Sequence, residues 1–148
     1  MLERAIDELS TGLEEIRRLA SGLHPAILSE RGLTAALESL ALRSPVPVEL
    51  DAALGRELPE QVEAAAYYVV AEALANIHKH ADAGRVVVRV GTRDRLLEVS
   101  VADDGAGGAD ASGKGLQGLA DRVEALGGRL MVDSHPGAGT SLRAEIPA

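Results

Sequence analysis

A chain of 148 residues is long enough for one domain with a substantial core and short for two. A net charge of −8 with 15 dispersed basic residues argues against a nucleic-acid groove, and no run reaches the ~18 apolar residues of a membrane helix. The absence of cysteine removes disulfides and thiolate metal sites and fits a reducing compartment, and with Tyr67 and Tyr68 the sole aromatics the core must be packed from Ala, Val and Leu.

In chain order, Leu2, Ile6, Leu9, Leu13, Ile16, Leu19 and Leu23 recur at spacings of three and four. They predict an amphipathic helix whose narrow seam, close to a heptad pattern, packs on another helix or a second subunit. Its abrupt start at Met1, without a capping residue, is expected of a chain cut from something longer. His24-Pro25 breaks this helix, because Pro25 has no amide hydrogen and biases His24 away from helical angles. A second helical pattern runs through Leu33, Leu37 and Leu40 to about Arg43. In Ser44–Asp51 the prolines exclude helix, and alternating Val46, Val48 and Leu50 predict an edge strand.

Pro59 suits the first turn of a long helix that ends near Ala81. Val62, Ala66, Val69, Ala73 and Ile77 form its core stripe; Glu72, Asn76 and His80 form the neighbouring stripe, with Lys79 at the margin. Two alternating runs, Arg85–Thr92 and Leu96–Ala102, predict a hairpin joined at Arg93-Asp94. The glycine-rich segment from Asp103 to Gly115 is too rich in glycine for regular structure and is expected to be mobile or to approach a ligand closely. Leu116–Leu126 reads as a helix capped by Gly127-Gly128, and Arg129–Ser134 and Thr140–Ile146 as a second hairpin. There are no internal repeats. The natural cut lies near Ser44, with a helical part (1–43) before it and an α/β domain (44–148) after.

Three of these stretches carry chemistry. Each alone also fits a bland reading: a solvated helix edge for Glu72 to His80, a turn with two solvated acids for Asp103-Asp104, and a flexible surface loop for the glycines. An ATP site needs hard oxygen ligands for magnesium, an acceptor for the adenine amine, and backbone amides at a helix start for phosphate. Asn76 offers an amide oxygen, Asp103 a carboxylate at a strand end, and Gly113-Lys-Gly115-Leu116 a turn opening a helix.

In this order and spacing they resemble the N, G1 and G2 boxes of the Bergerat-fold ATPases, which include histidine kinases, type II topoisomerases, mismatch-repair ATPases and a heat-shock chaperone. The pattern is most similar to sensor histidine kinases of the nitrate-sensor subclass. The matching segments are Glu72-Ala-Leu-Ala-Asn-Ile-His-Lys-His-Ala81, Asp103-Asp-Gly-Ala-Gly-Gly108 and Gly113-Lys-Gly-Leu-Gln-Gly-Leu-Ala-Asp-Arg-Val-Glu-Ala-Leu-Gly-Gly128, with Pro136-Gly-Ala-Gly-Thr140 at the end.

The resemblance implies an α+β two-layer sandwich, a mixed sheet packed on helices, preceded by a dimerisation-type helix. It implies that Asn76 holds Mg2+, Asp103 takes the adenine amine, and Gly105 and Gly107 shape the base pocket. Lys79 and His80 would lie toward the phosphates, Gly113, Lys114, Gly115 and Leu116 would form the lid and its hinge, and Thr140 would support the base. Glu72 occupies the place that activates water in ATP-hydrolysing relatives, a reaction a kinase must avoid. Response regulator, phosphoacceptor helix and a second copy are the implied partners, in the cytoplasm.

One departure stands out. The subclass carries its phosphoacceptor in a Glu-x-x-His-Asp type helix, and none of His24, His78, His80 or His135 is followed by an acid. Residues 1–43 are therefore expected to be the second helix of the dimerisation hairpin plus a connecting helix, without the substrate helix. The rival reading is a nucleotide-binding regulatory module, anti-sigma-factor-like or a degenerate kinase, without phosphotransfer.

Overall fold

The structure is a computed structural model and describes residues 26–55, 57–80, 84–105, 114–134 and 139–148. The expected N-terminal helix over Leu2–Leu23, and His24, lie outside the described residues.

Helix α1 (Ala26–Arg43) is interrupted at Gly32, whose φ of 84° belongs to the left-handed region that glycine enters without a Cβ clash. The break divides it into a short turn bearing Leu28 and a segment bearing Leu33, Ala36 and Leu37, all four buried. Strand β1 (Val48–Ala53) begins two residues later than the alternation predicts. Val46 stays out of the ladder, and the Pro47 carbonyl accepts from Val86 N at 2.9 Å, immediately before the first ladder pair.

Helix α2 (Glu60–His80) starts one residue beyond the expected position of Pro59. The Pro59 carbonyl accepts from Val62 N and Glu63 N at 3.0 and 3.1 Å, so proline caps the helix and its missing amide costs nothing. Glu60 and Glu63 in the first turn complement the helix dipole.

Strands β2 (Val86–Arg93) and β3 (Leu96–Asp103) pair antiparallel. Their turn is shifted from the predicted Arg93-Asp94 to Asp94-Arg95, because Arg93 pairs with Leu96 in the ladder. Both turn residues have positive φ, 51° and 72°, the two-residue geometry whose twist matches that of the strands.

Helix α3 (Lys114–Ala125) leads to β4 (Arg129–Ser134) and β5 (Thr140–Pro147). Its end is a paired cap: Gly128 N donates to Val123 O at 3.0 Å and Gly127 N to Glu124 O at 2.9 Å, with Gly127 left-handed at φ 81°.

The sheet order is β1-β2-β3-β5-β4, with β1–β2 the parallel pair and the other pairs antiparallel. Alternation puts Val86, Val88, Val90, Leu97, Val99, Val101, Leu142, Ala144 and Ile146 on one face, all buried. They share a core with the predicted α2 stripe, with Ala65, Val70 and Leu74 beside it, and with Leu116, Leu119 and Val123 of α3. Alanines at the helix contacts let the backbone settle close to the sheet, which makes up for the missing aromatics. The opposite face carries charge pairs, Arg143 with Glu98 at 3.2 Å and Arg129 with Glu145 at 3.4 Å. This is the mixed-sheet, two-layer α+β sandwich that the pattern implied.

Candidate functional site

The inward row of β3, Leu97, Val99 and Val101, ends in a half-buried acid, Asp103. The register sets Asp103 opposite Val86 on β2 and Thr140 on β5, and sets Thr140 opposite Ser134 on β4. Directly opposed residues of an antiparallel ladder point to the same face. Asp103, Thr140 and Ser134 therefore form a polar row at one end of the helix-covered face. Ser134 Oγ and Thr140 Oγ1 are hydrogen bonded at 2.9 Å. Asp103 Oδ1 accepts from Gly105 N at 2.8 Å, and among the described residues Oδ2 has no partner.

The β4–β5 hairpin closes onto this strand end through Gly139. Its φ is 77°, and a Cβ there would overlap the Asp103 carbonyl oxygen. Position 139 thus has two independent reasons to be glycine. Gly105 is buried in the turn after Asp103.

One stripe of α2 carries Ala64, Tyr68, Glu72 and Asn76, four residues apart and all half-buried. The Glu72 carboxylate and the Asn76 carboxamide make no hydrogen bond among the described residues. Only residues 81–85 connect α2 to Val86, so the C-terminal end of the helix lies at the same sheet end as Asp103. Asp104 strengthens this junction: its Oδ1 accepts from Gly84 N at 2.9 Å and from Arg85 N at 3.0 Å.

Helices α2 and α3 run antiparallel. The Arg122 guanidinium sits 4.2 Å from the centre of the Tyr68 ring, in a groove of 490 Å³ where Glu60, Gln61 and Ala64 meet Ala125 and Leu126. Burial pushes the Tyr68 phenol above its ordinary value, and the Arg122 charge pulls it back. From that contact, Asn76 lies about 12 Å along α2 and Lys114 about 12 Å back along α3, at 1.5 Å per residue. The carboxamide of Asn76 is therefore level with the first turn of α3, whose leading amides have no partner within the helix.

The helix boundary corrects one expectation: α3 begins at Lys114 and not at Leu116, so Lys114 and Gly115 belong to its first turn and not to the turn before it. Leu116 is 6% exposed, which leaves its backbone and not its side chain for a ligand. Gly107, Gly113 and the side chains of Lys79, His80 and Lys114 lie outside the described residues. Among the described residues no three His, Asp or Glu side chains gather as metal ligands, and no helix is long and apolar enough to cross a membrane. Sequence reasoning gave no separate role to Asp104 and Gly139, although both lie in the matching segments, nor to Ser134, whose signal was its symmetric placement with Thr140 about a Pro-Gly turn.

A profile of the family described as "Histidine kinase-, DNA gyrase B-, and HSP90-like ATPase" matches residues 61–148. Among curated proteins, the chain is 33% identical to the sensor histidine kinase MctS of Rhizobium johnstonii over 99% of this chain and 34% of that protein. It is also 33% identical to the sensor histidine kinase NarS of Mycobacterium tuberculosis, over 97% of this chain and 36% of the relative. The chain thus spans about a third of the length of these relatives. Among solved structures, the Acinetobacter baumannii histidine kinase AdeS superposes with a TM-score of 0.63 at 15% identity, covering 97% of this chain and 80% of that one. The Erythrobacter litoralis EL346 blue-light activated histidine kinase superposes with 0.61 at 23% identity, covering 78% and 40%. At these identities the structures speak for the fold.

Proposed function

We propose, on the premise that this chain belongs to the histidine kinase-, DNA gyrase B- and HSP90-like ATPase family, that it is the ATP-binding catalytic part of a sensor histidine kinase of the nitrate-sensor subclass. The observation that carries the reading is the convergence at one sheet end of Asp103 and Thr140, cross-strand neighbours, with Asn76 and the start of α3 above them. The unpaired Asp103 Oδ2 is an acceptor suited to an exocyclic amine, and Thr140, with its hydroxyl oriented by Ser134, supports the base from the next strand. Gly105 and Gly107 line the base pocket.

The half-buried Asn76 carboxamide, free of protein partners among the described residues, is a hard oxygen ligand suited to Mg2+, which takes few protein ligands beside phosphate oxygens. The amides of Lys114, Gly115 and Leu116 at the start of α3 favour phosphate, with Gly113 hinging the segment before them and Lys79 and His80 on the phosphate side. Glu72, one turn before Asn76, stands where a carboxylate can handle a proton at the phosphate end. ATP, when bound with magnesium, supplies a γ-phosphoryl group for transfer. Its acceptor is a histidine on the kinase's phosphoacceptor helix, then an aspartate of a response regulator, in a cytoplasmic homodimer to which residues 1–43 contribute the second hairpin helix and connector.

Calorimetry tests the reading. Mg-ATP and ADP should bind, and Asn76→Ala should weaken Mg-ATP more than adenosine, because only the phosphates require the metal. An equal loss for both ligands would show that Asn76 is not the magnesium ligand.

A further inference from the structure

A side-chain link joins the end of β3 to Gly84 and Arg85, the two residues that precede β2. Asp104, the residue after Asp103, accepts through one oxygen from Gly84 N and Arg85 N, at 2.9 and 3.0 Å. Those two amides lie just before the β2 ladder, which opens at Val86, so no strand supplies them with an acceptor. Gly84 and Arg85 are also only four and five residues beyond His80, the last residue of α2, so tying them down limits how far the helix end can move from the sheet. The Arg85 side chain pairs with Glu49 on β1, which holds the receiving end of the link to the sheet. On the other side, Gly139 packs against the peptide between Asp103 and Asp104.

We propose that Asp104 is a positioning residue for nucleotide binding, setting the separation between Asn76 on α2 and Asp103 on β3. The proposal rests on reading the site as an ATP site. A ligand that touches only the Asp103 end does not sense that separation. A ligand that must engage both ends does, because the second contact is made at full strength only if the first holds it in place. The competing account is that Asp104 merely caps two backbone amides and acts on stability alone. Asp104, Gly84 and Arg85 are all exposed, so water can replace the carboxylate when it is removed and the fold is expected to survive.

The test is titration calorimetry of the whole chain with adenosine and with Mg-ATP, for the wild type, Asp104→Ala and Asp104→Asn. In Asp104→Ala, Mg-ATP affinity should fall about tenfold while adenosine stays within about twofold. Asp104→Asn, whose amide oxygen can take the place of Oδ1 between the two donors, should recover Mg-ATP affinity to within about threefold of wild type. Unchanged Mg-ATP affinity in the alanine variant, or equal losses for the two ligands, would overturn the proposal, as would an asparagine variant no better than alanine. If the alanine variant does not fold, Asp104→Glu carries the test: it keeps the charge but moves it by one methylene, and an unchanged ratio of the two affinities overturns the proposal equally. A wild type that binds neither ligand removes the ATP site itself, an outcome distinct from all of these.

Discussion

Two residues show how local chemistry and position combine here. Asp103 is an acid at the end of an otherwise apolar row, with one oxygen tied to Gly105 N and the other open among the described residues. An acceptor at that point matches the amine of adenine and opposes the carbonyl that guanine carries there. Since an unmatched buried polar pair costs ~1–3 kcal/mol, GTP should bind at least about fivefold more weakly than ATP, and Asp103→Asn should lose most of that preference. Competition titration with both nucleotides measures it, and equal wild-type affinities would remove the adenine role. Arg95 makes the opposite point, because its φ of 72° is imposed by the hairpin and not favoured by the residue. Arg95→Gly should therefore raise stability by ~1 kcal/mol in urea denaturation with nucleotide affinity unchanged.

Among the elements, α3 is constrained at both ends. Its start lies level with Asn76 and its end is fixed by the glycine cap and by the close approach of Gly128 to β5. A Cβ at Gly128 would overlap the Glu145 carbonyl oxygen and crowd Val123. Backbone cannot yield as a side-chain tip can, so Gly128→Ala should cost ~1–3 kcal/mol or more in thermal unfolding. If α3 remains seated by Leu116, Leu119 and Val123, adenosine should still bind the folded variant. A variant as stable as wild type would mean that helix and strand can move apart. The Gly127-Gly128 cap was legible in the sequence, since glycine is the usual residue past a helix end. The tight packing of the second glycine on another strand was not, because the Glu145 carbonyl it lies against is remote in sequence.

For the whole molecule, ligand binding and group transfer separate. A ligand that binds only the folded state stabilises it by about 2.7 kcal/mol at one hundred times its Kd, so saturating Mg-ATP should raise the melting temperature and adenosine at the same concentration should raise it less. Incubation of this chain with Mg-ATP should nevertheless give no phosphohistidine. Transfer needs a nucleophile held in line with the γ-phosphate, and none of His24, His78, His80 or His135 is followed by a carboxylate that would take its proton. Supplying a chain that bears a phosphoacceptor helix should produce acid-labile label on that chain. Label on the 148-residue chain alone, lost in His24→Ala, would overturn this expectation.

The sequence by itself determined the elements from Leu33 onward, the mixed sheet under one layer of helices, and the three polar stretches in their order. The elements follow from periodicity and from glycine and proline, which act over a few residues at a time, whereas the mixed sheet under one layer of helices was implied by the family resemblance that the three stretches carry. It misplaced the β2–β3 turn by one residue and the starts of β1 and α3 by two, because ends depend on which pairs close the ladder or the first turn. Only the tertiary structure decided that Thr140 faces Asp103, that Ser134 holds Thr140, and that Asp104 ties the residues before β2 to the end of β3. Those relations join residues many positions apart through strand register and backbone hydrogen bonds. A carboxylate in a sequence carries no sign of which distant amide it will accept from; packing makes that choice.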